Sequence, residues 1–235
     1  MFNNFLFIIP ARGGSKGVPK KNIKLFLGKP LIYYSVEYAR LFVPDENICL
    51  STDDLSIIEL VNEINLKAQF VRPLNLASDT ADTFSVLVHA YNYFKKSFNK
   101  EYKGIILLQP TSPLRVEKHL LEAINLFTEN TEMVVSVCEA KSSPYFTIFE
   151  EDGGGFLQIC KGDNSYSRRQ DAPTTYEYNG SIYIINSNVL DQKKSFKEIT
   201  KKVKYKMSDY YSIDIDTEDD WDYAEFKYSK QLCKK

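Results

Sequence analysis

Residues Phe5–Lys24, FLFIIPARGGSKGVPKKNIK, constrain this chain more than any other stretch. The run of large apolar residues from Phe5 to Ile9 has no polar alternation, so it reads as a strand buried on both faces. Pro10 closes it, because proline cannot donate into a sheet ladder. Gly13, Gly14 and Gly17 follow, interleaved with Arg12, Ser15, Lys16, Lys20 and Lys21. Glycines let the backbone curl and turn its N–H groups inward as an anion nest, and the surrounding cations suit a compact, highly charged anion. The spacing departs from G-x-x-x-x-G-K-[ST], and Arg12 stands where G-x-G-x-x-G has its first glycine. Asp53 occupies the place of a ribose-binding acid in an NAD enzyme. A dinucleotide loop, however, runs straight into its helix, whereas about a dozen residues pass here before Pro30 can start one. The plain alternative is a solvated basic loop on an ordinary α/β domain.

The rest of the chain alternates strands and helices. Pro30 begins a helix to about Phe42, with Leu31, Tyr34, Ser35, Tyr38 and Leu41 at helical spacing. Asn47–Ser51 is a strand, and Asp53/Asp54 cap a helix reaching Leu66. A short strand at Ala68–Val71, a helix over Phe84–Phe94, a strand at Gly104–Leu108, a helix over Val116–Phe127 and a strand at Met133–Cys138 continue the pattern. Such alternation predicts βαβ units and an open, mostly parallel sheet flanked by helices. The rhythm then changes. Tyr145–Phe149 and Phe156–Cys160 flank Gly153–Gly155 as a β-hairpin, a polar stretch covers 162–175, and Tyr178–Ile185 returns as a strand. Ile213–Ile215 is a last short strand, and a helix starts at Glu218.

Composition narrows the partners. The 235 residues carry 30 basic and 31 acidic side chains, a net charge of −1, so neither nucleic acid nor a membrane surface is expected as a partner. The positive charge is local to the first loop. Cys49, Cys138, Cys160 and Cys233 have neither metal spacing nor evident pairing, which fits reduced thiols and a cytoplasmic location. Phe5–Ile9 is too short for a signal segment and lacks a cationic flank before it.

The blocks IPARGGSKGVPKKNIK at 9–24, LSTDD at 50–54, RPLNLASDTA at 72–81, LLQPTSPLR at 107–115, NGSIYI at 179–184 and SIDIDTEDDW at 212–221 run from end to end of the chain. In these the chain resembles the acylneuraminate cytidylyltransferases, the CMP-sialic acid synthetase group. The resemblance implies a nucleotide-diphospho-sugar transferase type of fold, with residues 1–235 forming one domain. An arm at about 143–176 would reach across a homodimer and lend residues to the partner's sugar site.

An open parallel sheet binds ligands outside the carboxyl ends of its strands, which by itself gathers Ala11–Lys21, Thr52–Asp54, Arg72 and Gln109–Ser112 on one rim. The resemblance implies that Arg12, Gly13, Gly14, Ser15, Lys16, Lys21 and Asn22 hold the phosphates and ribose of CTP. It places Arg72, Ala77 and Ser78 at the cytosine edge, and Gln109, Pro110, Thr111 and Ser112 between base, ribose and sugar. Gln109, Arg169 and Asn179 would meet the sugar acid. Asp214 and Asp216 alternate with Ile213 and Ile215, so an extended backbone puts both carboxylates on one face. Two adjacent carboxylates repel unless a cation shares them, and oxygen ligands suit Mg²⁺; the related enzymes place magnesium here. Arg12, Lys21, Asp214 and Asp216 are thus the expected catalytic set, and no chemical role is expected for His89 or His119. The implied reaction transfers CMP from CTP to the anomeric hydroxyl of a nine-carbon 2-keto sugar acid, releasing pyrophosphate. Legionaminic or pseudaminic type acids, another activated sugar, and a catalytically silent nucleotide-binding regulator are the alternatives. One departure stands out: Glu177 occupies a place where many sialic acid enzymes carry an arginine. It is expected to face solvent or to pair with Arg168 or Arg169.

Overall fold

A computed structural model describes residues 2–78, 80–163 and 165–233, with the side chain of Arg169 outside that description. Strand β1 (Phe5–Pro10) sits inside a six-stranded sheet, between β4 (Ile48–Ser51) and β5 (Gly104–Leu108), parallel to both. This is why its sequence is apolar without alternation: Leu6 to Ile9 have no solvent exposure. Phe5, Phe7 and Ile9 pack on one face against α1 (Leu31–Arg40), α2 (Leu55–Glu63) and α4 (Glu117–Ile124). Leu6 and Ile8 pack on the other face against α3 (Thr83–Phe98) and α5 (Ser187–Gln192). A small antiparallel pair, β2 (Leu25–Phe26) with β3 (Lys29–Pro30), leads into α1.

The sheet order is β10-β6-β9-β5-β1-β4, where β6 is Met133–Glu139, β9 Tyr176–Asn186 and β10 Lys202–Lys206. β10 is parallel to β6, while β9 runs antiparallel to both β5 and β6. The sheet is therefore mostly parallel, as expected, with one reversed strand at its middle. Reversal brings the beginning of β9 to the edge where β1, β4 and β5 end. The hairpin β7 (Phe149–Glu151) with β8 (Leu157–Ile159) stands outside the sheet. α6 (Glu218–Leu232) closes the chain, capped by Thr217 and Asp220.

Two expected strands do not form. Residues 68–71 reach the sheet through one backbone bond next door, Arg72 N–H to Thr52 O at 2.7 Å. The Gln69 carbonyl is taken by the Tyr93 hydroxyl and Phe70 stacks on Tyr93, so side chains replace a ladder. Residues 213–215 keep alternating burial, with Ile213 and Ile215 in the core, but their neighbour is the proline-containing 109–113 segment. That segment accepts a single bond, Ile215 N–H to Thr111 O at 2.9 Å. Strand β10 went unanticipated, although K-V-K-Y-K alternates as a half-buried strand should. No helix among the described residues is long and apolar enough to cross a membrane.

Candidate active site

The loop after β1 is held by its own sequence. Ala11 N–H bonds Ser51 O at 2.9 Å, Asn22 Nδ2 closes the loop on Arg12 O at 3.0 Å, and Val18 is buried among Phe26, Leu31, Leu114, Ile215 and Trp221. Its glycines serve close approach more than an open nest. A Cβ on Gly17 would lie 1.9 Å from the backbone oxygen of Asp216, and one on Gly13 would lie 2.6 Å from Asp54 Oδ2, whereas Gly14 has free space. The Gly13 N–H is spent on Asp53 Oδ1 at 3.2 Å, so Asp53 braces this loop instead of a ribose.

Gly17 thus presses the cationic loop onto the acidic segment. Lys21, 8% exposed, donates to Ile215 O and reaches Asp216 Oδ1 at 3.4 Å. The Asp216 carboxylate is largely exposed, while Asp214 is half-buried. Burial pushes the Asp214 carboxyl above its ordinary value; Asp216 adds to this, and Thr111, Lys21 and Arg115 oppose it. Asp214 Oδ1 is buried without a hydrogen-bond partner.

A cleft of about 420 Å³ opens between the loop and the ends of β4 and β5. It brings together Arg12, Ser15, Lys16, Lys21, Asn22, Arg72, Ser78, Gln109, Pro110, Thr111 and Asp216 of the expected residues. It is also lined by Leu76 and Ala81, inside the block at 72–81, and by Thr83 and Val86, which the sequence did not single out. Arg72 is anchored there, its Nε donating to Ser51 Oγ at 3.0 Å and its Nη2 to Ser51 O. Burial lowers its pKa, with Asp53 opposing. Ala77 closes the turn at 74–77 through Leu74 O, and Ser78 Oγ lies 3.2 Å from Thr80 Oγ1.

Gly13, Gly14, Ala77, Ser112, Asp214 and Asn179 lie outside that lining. Ser112 is buried and donates to Asn179 O at 3.2 Å. The Asn179 amide is engaged on both ends: Oδ1 accepts from Ser136 Oγ (2.6 Å) and Ser181 N (3.2 Å), and Nδ2 donates to Ser212 Oγ (2.9 Å). This amide fills a bulge where β9 slips against β6, and Ser136 Oγ also accepts from Ile182 N at 2.8 Å. At the bulge Gly180 has φ +71°, and a Cβ there would lie 2.8 Å from both Asp214 Oδ2 and Gln109 Oε1. Glycine is therefore required twice over, by conformation and by space.

Arg169 belongs to the turn 169–171, but its side chain lies outside the described residues. Its neighbour Gln170 lines a second cleft of about 410 Å³ with Glu139, Ser143 and Thr175, not the first. Arg168 pairs with Asp171 at 2.9 Å, and a pairing of Glu177 with Arg169 lies outside the described residues; Glu177 is exposed, and its Oε1 accepts from the Cys138 thiol at 3.5 Å.

A sequence profile described as cytidylyltransferase matches residues 6–235. The chain belongs to the cytidylyltransferase family. Among its relatives, the N-acylneuraminate cytidylyltransferase of Streptococcus agalactiae serotype III (strain NEM316) is 33% identical over 91% of this chain. That match covers 51% of the relative, so the chain spans about half its length. The CMP-N,N'-diacetyllegionaminic acid synthase of Legionella pneumophila is 31% identical over 92% of both chains. A solved CMP:2-keto-3-deoxy-manno-octonic acid synthetase complexed with CTP matches with a TM-score of 0.69 at 17% identity, covering 97% of this chain and 100% of that one, a likeness of fold. For this cytidylyltransferase the donor set at the acidic segment fits a hard cation. Asp214 and Asp216 offer only oxygen, one buried oxygen of Asp214 is unsatisfied, and the charge of Asp216 adds to the cost of ionising Asp214. Among the described residues no group of three or more His, Cys, Asp or Glu side chains forms a cage.

Proposed function

We propose that this chain transfers CMP from CTP to the anomeric hydroxyl of a nine-carbon 2-keto sugar acid, releasing pyrophosphate. The observation that carries the reading is the contact between two motifs far apart in sequence: Gly17 and Lys21 lie against the backbone of Ile215 and Asp216 at one end of the cleft. The hydroxyl oxygen forms its bond to the α-phosphorus as the bond to the β-phosphate oxygen breaks, and the hydroxyl proton leaves to a base. Arg12, Lys16 and Lys21 border the end where the triphosphate would lie and offset charge that grows on the leaving pyrophosphate. Ser15 and Asn22 hold the ribose and phosphate oxygens. Arg72, Ser78 and the wall of Leu76, Ala81, Thr83 and Val86 take the base, with purines excluded by size. Asp214 and Asp216 would hold Mg²⁺, which supplies electrostatic stabilisation of the phosphates. A magnesium ion keeps most of its waters, so two carboxylates plus phosphate oxygens suffice.

Gln109, whose Oε1 converges with Asp214 on Gly180, borders the sugar side, and Asn179 shapes that wall from behind. Arg169 would meet the sugar carboxylate from the arm of a partner subunit, a role supported by its neighbour Gln170 lining the second cleft and not the first. Exposed Phe146, Phe149, Phe156 and Leu157 on the arm support docking on a second copy. The free cysteines fit a reducing, cytoplasmic compartment.

A second reading of the sugar rests on Glu177. Its exposed carboxylate could accept from a polar substituent that N-acetylneuraminic acid lacks, such as the second N-acyl group of a diacetyllegionaminic type acid. The deciding experiment measures pyrophosphate release with CTP and the other triphosphates, crossed with several sugar acids. No release with any pair refutes the transferase reading. Arg169→Ala should raise the sugar KM and spare CTP, and a gain of sialic acid activity in Glu177→Arg would identify the natural substrate as a different sugar.

A further inference from the structure

Arg115 takes no part in the reading above, yet it is buried beside the cleft, 6% exposed. Its Nε donates to Ser112 O at 3.0 Å and its Nη2 to Gln109 O, the two ends of the Gln109–Ser112 turn. Its Cζ lies 5.5 Å from the Tyr38 ring centroid, and the Tyr38 hydroxyl is itself fixed by Val116 O at 3.2 Å. The remaining nitrogen, Nη1, is buried with no hydrogen-bond partner. Carbonyl dipoles alone leave a buried cation uncompensated, and such a charge needs an anion. Burial lowers the Arg115 pKa, with Tyr38 and then Asp214 opposing. The segment of Asp214 engages the same turn from its other side, where Ile215 N–H bonds Thr111 O at 2.9 Å.

We propose that Arg115 is a positioning residue for the transfer: its two carbonyl hydrogen bonds fix the turn that carries Gln109 and Thr111, and through the Thr111 carbonyl that turn sets where Asp214 meets Gln109 Oε1 and Gly180. This rests on the transferase reading. Arg115 does not line the cleft, and the bonds that hold the 12–22 loop and Arg72 go to Arg12 O and Ser51 instead. Loss of Arg115 should therefore spare CTP binding and damage the step that involves the sugar. Lysine keeps the charge but not the fork that spans two carbonyls, so it should restore only part.

The test compares Arg115→Lys and Arg115→Met with the parent. CTP affinity is measured by calorimetry, and kcat and sugar KM with N-acetylneuraminic and legionaminic acids. The expected result is a CTP Kd within about threefold of the parent, kcat lower by about 10²-fold in Arg115→Met, and partial recovery in Arg115→Lys. A urea-denaturation cycle of Arg115→Met, Asp214→Asn and the double variant, run in EDTA, reads the coupling of Arg115 to Asp214 without substrate. The double variant should lose less than the sum of the single losses. Additive losses in the cycle overturn the proposal, as does a folded Arg115→Lys with unchanged kcat and sugar KM, or a CTP affinity that falls in step with kcat. If Arg115→Met does not fold, Arg115→Lys in the same cycle decides. A parent inactive on every sugar acid would refute the transferase reading, while the cycle still decides whether Arg115 is coupled to Asp214.

Discussion

Gly17→Ala isolates the contact between the cationic loop and the acidic segment. The new Cβ would lie 1.9 Å from the Asp216 backbone oxygen, where real Cβ contacts essentially never fall below 3.0 Å. The loop must therefore retreat by about 1 Å, and it cannot do so freely, because Val18 is wholly buried one residue later. Overpacking of this kind costs about 1–3 kcal/mol of stability. Retreat also lengthens the Lys21 contact to Ile215 O, and a misplacement of about 1 Å near reacting groups lowers the rate by roughly 10²-fold. Gly14→Ala is the internal control, since nothing lies within 4 Å of its Cβ position. Urea denaturation and pyrophosphate release, measured on both variants, should separate them clearly. If Gly17→Ala matches Gly14→Ala in stability and kcat, the loop is not pressed against Asp216 and the central observation fails.

Asp216→Asn should remove most turnover, by about 10²–10⁴-fold, and weaken the magnesium dependence; near-normal kcat at saturating magnesium would refute its assignment. His119 is buried, its Nδ1 accepting from Val116 N–H at 3.1 Å, and burial lowers its pKa from 6.5 to about 4. The unfolded chain then binds the proton first, so stability contributed above pH 6.5 is lost as pH falls towards 4, by up to about 3 kcal/mol. His119→Gln should flatten the stability profile across that window, and an unchanged profile would show that the imidazole titrates normally. On the hairpin, Phe156 and Leu157 are 70% and 68% exposed, so changing both to serine should give a monomeric mass by light scattering and reduced activity on dilution. A parent that is already monomeric and fully active at high dilution would remove the arm from the sugar site.

The sequence alone determined the frame. Apolar runs such as Phe5–Ile9 and Gly104–Leu108 specify doubly buried strands, and a parallel sheet puts the loops after them on one rim. Most of the cleft was legible for that reason: position in the fold follows from local periodicity and the rule for strand ends. What the tertiary structure decided concerns partners distant in the chain. The reversal of β9 brings Gly180 between Gln109 and Asp214, and no local pattern in Tyr176–Asn186 encodes its direction. Asn179 reads as a ligand in a motif, yet Ser136 and Ser212 take up its amide. Asp53 resembles a ribose acid by position and instead braces Gly13. Arg115 stands inside a recognisable block, but only the fold shows it buried, with Nη1 unpartnered and its other nitrogens on the Gln109 and Ser112 carbonyls. Sequence carries each residue's capacity to bond and its local backbone preference. Which capacity is spent internally, and which is left facing the cleft, depends on contacts between segments as much as 200 residues apart, such as Gly17 with Asp216.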